Sequence, residues 1–188
     1  MGAVKGSGDG QSYAVSLASG TMAAALAAGS EIVQIRWTST TTLCVVKSVR
    51  IWAGSIVAFT AGFVRADLCF ARAWTAAGTG GGTATLTTHN GKRQTTMGTT
   101  AMGELRVATT AALGAGTKSL DSQALTSTGG GVANVAGATV FPLSELAPAY
   151  HDYPLVLAAN EGLVIRATVP ATGTFTFNVD VLWTERPV

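Results

Sequence analysis

The sequence predicts an all-β protein: an antiparallel β-sandwich, jelly-roll-like, with an N-terminal arm and long loops. Three observations carry this. Several segments alternate apolar and polar residues with the period of two that a half-buried strand requires. Turn-forming Gly, Asn, Pro and Thr recur between them. No stretch shows the spacing of a long amphipathic helix, so layers of strand are the remaining way to build a core.

The elements follow in chain order. Residues 1 to 30 read as an arm, polar and Gly-rich at first, then Ala-rich through "TMAAALAAG" (Thr21 to Gly29). In "EIVQIRWT" (Glu31 to Thr38), Val33, Ile35 and Trp37 face one way and Gln34 and Arg36 the other. "LCVVKSVRIWAG" (Leu43 to Gly54) is a second strand, and its adjacent valines suggest a phase slip or bulge. "FVRADLCFARAW" (Phe63 to Trp74) places Val64, Ala66, Leu68 and Phe70 on one face and Arg65, Asp67 and Cys69 on the other. Asn90-Gly91 suits a two-residue hairpin turn, and "GELRVATTAAL" (Gly103 to Leu113) holds a further strand. From about 114 to 154 the chain reads as a long excursion, Gly-rich and then interrupted by prolines. Residues 31 to 188 therefore form a single β-sandwich domain.

The final segment, "LVIRATVPATGTFTFNVDVLWTE" (Leu163 to Glu185), contains two alternating runs around Pro170–Gly173. Leu163, Ile165, Ala167 and Val169 share one face, as do Phe175, Phe177, Val179, Val181 and Trp183. Two arrangements remain open. A hairpin needs opposed residues on the same side, which a three-residue Ala171–Gly173 loop provides. A jelly-roll corner instead sends the runs to facing sheets. In both, the odd-numbered face is core.

Composition limits the function classes. Charged residues make up 12% of the chain, with a net charge of +2 and no basic run. Nucleic acid is not an expected partner. "TMAAALAAG" is far short of the roughly 20 residues of a membrane span, so no membrane partner is expected either. Ala, Thr and Gly together supply about two residues in five, well above the usual share. A surface with few charges and many small residues costs little to desolvate against another chain.

"YPLVLAANEGLVIRATVPATGTFTFNVDVLW" (Tyr153 to Trp183) resembles the C-terminal pattern of small virion structural proteins of tailed bacteriophages. The likeness lies in Pro-Leu-Val-Leu, then Asn-Glu-Gly, a β-branched strand, a Pro-x-x-Gly turn and a last alternating strand. A looser likeness is to jelly-roll trimers of the TNF and C1q type. The first resemblance implies a capsid decoration (cement) protein that binds the major capsid protein lattice as a homotrimer on the virion surface. It would be made in the host cytoplasm. The alternative it implies is a collar, tail or head-fibre component with a receptor- or glycan-binding sandwich. It brings no catalytic residues.

The residues themselves suggest no reaction, so no enzyme, catalytic group, cofactor or metal site is expected. His151-Asp152 lacks a third catalytic group, and His89 reads as a hairpin residue. "GAGTKS" (Gly114 to Ser119) fails the phosphate-loop pattern because Thr117 separates Gly from Lys. Cys44 and Cys69 read as buried thiols, Glu161 as a turn residue, and Arg65, Arg72 and Arg166 as outer-face strand residues. The expected inter-chain contacts are Tyr13, Met22, Leu26, Trp74, Leu120, Leu125, Val132, Val135 and Tyr150, on the arm, the excursion and a strand end. Trp37 and Trp183 are expected in the core.

Overall fold

A computed structural model of the chain describes residues 10–24, 26–84, 86, 91–93, 97–121, 125–133, 136–141 and 155–188. Among these are twelve strands: β1 (Gln11–Ala18), β2 (Ser30–Trp37), β3 (Thr42–Val57), β4 (Phe59–Ala76), β5 (Gly82–Thr83), β6 (Met102–Val107), β7 (Thr117–Leu120), β8 (Leu125–Ala133), β9 (Ala136–Phe141), β10 (Val156–Leu157), β11 (Glu161–Thr168) and β12 (Thr174–Pro187). They form two antiparallel sheets packed face to face. Sheet A runs β1-β12-β3, with β9 and β10 sharing the far side of β3. Sheet B runs β5-β6-β2-β11-β4, with β7 and β8 sharing the far side of β4.

The pairings define the topology. β1 pairs with β12, β2 with β11, β3 with β9 and β10, and β4 with β7 and β8. The chain is thus an antiparallel ribbon whose two arms wrap together around one core, β1 to β4 alternating between the sheets and β10, β11 and β12 alternating back. This is the jelly-roll connectivity. β12·β3 and β11·β4 pairing then closes each sheet.

The final segment is a corner: β11 lies in sheet B and β12 in sheet A. Gly173 turns the chain with φ of 84°, a conformation glycine adopts without steric cost. Thr172 ties this corner to the β3–β4 crossing, accepting from the Thr60 amide at 2.7 Å and pairing with its hydroxyl at 2.9 Å. The odd-numbered face is core as the alternation requires. Leu163, Ile165, Phe175, Phe177, Val179 and Trp183 have no solvent exposure.

The phase slip expected at the paired valines exists. Leu182 opposes Ser48 while Trp183 opposes Val46, so Lys47 is an extra residue on β3.

Two expectations are corrected. The arm over 1–30 is partly sandwich, because Gln11–Ala18 is β1 and pairs with β12 along its whole length. Its alternation of Tyr13 and Leu17 with Ser12 and Ser16 is short and framed by small residues. Residues 1–9 lie outside the described residues. The excursion from about 114 to 154 is also not simply loop: β7, β8 and β9 lie within it and continue the sheets. Their Gly, Ala, Ser and Thr composition lacks hydrophobic alternation, and pairing onto the long strands β3 and β4 supplies what the side chains do not signal.

Candidate interaction surfaces

Most of the described residues expected at chain contacts face inward. Tyr13 and Met22 are fully buried in the main core. Tyr13 stacks on Trp183 and donates to the Gly98 carbonyl at 3.0 Å, while Met22 exchanges two backbone hydrogen bonds with Phe175. Leu26 packs against the same core. Trp74, expected to be exposed, is also fully buried. The reason is a bulge: Ala73 adopts φ of 49° and the β4–β7 register shifts between Arg72 and Ala76. Trp74 thereby joins Cys69, Ala71 and Val164 in a second cluster, against which Leu120 packs. Tyr13, Met22 and Trp74 therefore do not present a free surface. Leu125 and Val132 lie on β8; Val135, Tyr150, His89, Asn90, His151 and Asp152 lie outside the described residues.

The second cluster sits on the outer face of sheet B, under a strap formed by the chain around Gly78 and Gly114–Leu120. Lys118 reaches into it, its ammonium 4.7 Å from the Trp74 ring centroid and 2.8 Å from the Glu31 carboxylate. The Gln34 amide donates to Glu31 at 2.6 Å and to the Gly114 carbonyl at 3.0 Å. Gln34 is wholly buried, and Gly78 allows this closeness: a Cβ there would lie 2.0 Å from Gln34 Oε1. "GAGTKS" is thus a strap with a buried anchoring lysine, not a ligand cradle. Gln34 and Arg36 were legible as the face opposite the core, but nothing local signals that this face is covered.

Burial raises the pKa of Cys44 above the usual thiol range, with the Glu185 charge adding to it, and burial likewise raises that of Cys69. Both are free, buried thiols. Glu161 bridges its turn, accepting from the Ala158 amide at 2.9 Å and pairing with Arg72 at 2.6 Å. Among the described residues no group of three or more His, Cys, Asp or Glu is placed to hold a metal ion. No helix among them is long and apolar enough to cross a membrane.

Two surfaces remain. One is a set of exposed apolar side chains at the end of β3 and on β4. Ile56, Val57 and Phe63 are 58%, 55% and 75% exposed. Phe63 opposes Gly130 across the β4–β8 pair, within the run Gly129–Gly131. Glycine offers no cross-strand side chain, so the ring stands bare. The other is an open groove of about 430 Å³ on the outer face of sheet A, crossed by Ser16, Asp180 and Arg50 and rimmed by Arg93. Sequence reasoning missed both. The available signals were a phenylalanine in register with a glycine run, and Arg50 and Asp180 on polar faces of strands not yet known to be neighbours.

Comparison with known protein families, with curated proteins and with solved structures yields no match to this chain.

Proposed function

We propose that the chain is a non-enzymatic structural protein of a tailed-bacteriophage particle, a capsid decoration protein that binds the major capsid protein lattice as a homotrimer. The observation that supports this best is the exposure of Ile56, Val57 and Phe63 at the end of β3 and on β4. Exposed large apolar side chains are favourable to bury, by about 25 cal/mol per Å² of apolar surface. A specific contact needs roughly 1,600 Å² in total, and trimeric attachment multiplies a modest single contact through effective concentration. The C-terminal resemblance supplies the particle.

The test is direct. Particles lacking the protein should lose heat and osmotic resistance, and added wild-type protein should restore it. Restoration should fail with Phe63→Ser. Particles as robust without the protein as with it would overturn the reading. The alternative station, a collar, tail or head fibre carrying a glycan-binding sandwich, draws support from the sheet A groove.

A further inference from the structure

The outer face of sheet A forms a grid set by strand register. Ala18, Asn178 and Trp52 make one row, Ser16, Asp180 and Arg50 the next, and Ala14, Leu182 and Ser48 the third. Strand and residue spacings give these three rows a footprint of about 10 by 14 Å. The groove lies over the second and third rows and falls within the roughly 300–1,000 Å³ range of ligand sites. Its floor is lined by short side chains, Ala14, Ser16 and Ser48, so a ligand can approach the sheet closely.

Its arginines differ from those of sheet B. In sheet B, Arg36, Arg65, Arg72, Arg106 and Arg166 each donate a hydrogen bond within the chain. In the groove, Arg50 stands opposite Asp180 in register, yet Asp180 is engaged on its other side by the Ser16 hydroxyl. Neither Arg50 nor Arg93 makes a side-chain hydrogen bond or ion pair among the described residues, and both are exposed. Arg93 is held over the rim by the backbone: its amide donates to the Ser12 carbonyl at 3.3 Å, and the Ala14 amide donates to Gly91 at 2.7 Å. Two unpaired guanidinium forks favour a carboxylate.

Beside them lies an aromatic. Trp52 is partly exposed, whereas Trp37, Trp74 and Trp183 are fully buried. Its ring runs along β3 over Gly54, where a Cβ would stand 2.5 Å from Cη2. Glycine thus leaves the ring flat against the sheet, with Asn178 as its register neighbour.

We propose that this face binds an acidic oligosaccharide, the uronate carboxylate held by Arg50 and Arg93, sugar hydroxyls by Asp180, Ser48 and Asn178, and a ring face stacked on Trp52. The site is independent of Ile56, Val57 and Phe63 and stands apart from the capsid reading.

The three buried tryptophans make Trp52 the accessible reporter. The full chain is titrated with a galacturonic acid trisaccharide, a neutral galactose trisaccharide, a glutamate hexapeptide and sodium sulfate, following acrylamide quenching and calorimetry. The acidic trisaccharide should protect Trp52, and Arg50→Ala or Arg93→Ala should weaken binding about tenfold. Trp52→Phe should remove the optical signal and weaken the calorimetric one. Both arginines are exposed, so unchanged circular dichroism verifies the fold. Absence of saccharide binding, equal binding of the neutral trisaccharide, equal effects of hexapeptide or sulfate, or full affinity in Arg50→Ala would each overturn the proposal.

Discussion

Tyr13 and Trp183 stack with ring centroids 5.6 Å apart and planes inclined by 20°. The pair joins β1 to the central strand of sheet A at a point where both rings are fully buried. Tyr13→Ala should therefore cost about 3–5 kcal/mol, the range for deleting a buried aromatic ring. Urea unfolding followed by tryptophan fluorescence measures this. Tyr13→Phe should cost only about 1 kcal/mol, for the hydrogen bond to Gly98.

The same phenol predicts an alkaline limit. Burial, reinforced by the Glu185 charge, pushes its pKa up from 10.0 to about 12. A raised folded pKa means that the fold favours the neutral phenol. Its contribution is whole below pH 10 and is lost as pH rises through about 12. Stability should fall across that window more steeply in the wild type than in Tyr13→Phe, as read from melting temperatures between pH 9 and 12.

Lys118 and Glu31 anchor the strap over sheet B, their side chains only 2% and 9% exposed. Removing one partner strands the other charge. Lys118→Met should cost about 3–5 kcal/mol. The double variant Lys118→Met/Glu31→Gln should cost clearly less than the sum of the single changes. A double-mutant cycle in urea tests this coupling.

Gly173 holds the β11–β12 corner in the left-handed region. A Cβ there would lie 2.7 Å from Phe59 Cβ and 2.9 Å from the Val57 carbonyl oxygen. Gly173→Ala should destabilise by about 1–3 kcal/mol from backbone strain alone, with the contact adding to it. Thermal unfolding reads the loss.

Phe63 makes the opposite prediction for stability. At 75% exposure, Phe63→Ser should leave the unfolding midpoint within about 0.5 kcal/mol of wild type. It should nevertheless lower binding to particles that lack the protein, as read by co-sedimentation. Unchanged binding counts against these side chains as the lattice contact.

The strands that carry large apolar residues were legible from period alone, because Val33, Ile35, Trp37 and the run from Phe175 to Trp183 alternate without interruption. β1 was concealed by its short alternation, and β7 to β9 by Gly- and Thr-rich composition. Their places depend on partners up to 172 residues away, as Ser12 and Thr184 are. The Trp74 prediction failed for a related reason: Ala73 turns it to the outer face of sheet B, where the strap carrying Lys118 covers it, and no local pattern announces that cover. The sheet A groove depends on β1, β3 and β12 lying side by side, which only the finished topology provides.

That topology also dictates a schedule. β12 is flanked on one side by β1 and on the other by β3. As synthesis proceeds, the early strands β1 and β3 wait with a strand-wide gap between them until Thr174–Pro187 has emerged. Long-range pairing of this kind folds slowly and leaves unpaired edges exposed meanwhile. A ribosome stalled before that point releases a chain unable to complete sheet A. Sheet A is therefore whole only once β12 has been inserted between strands made well before it.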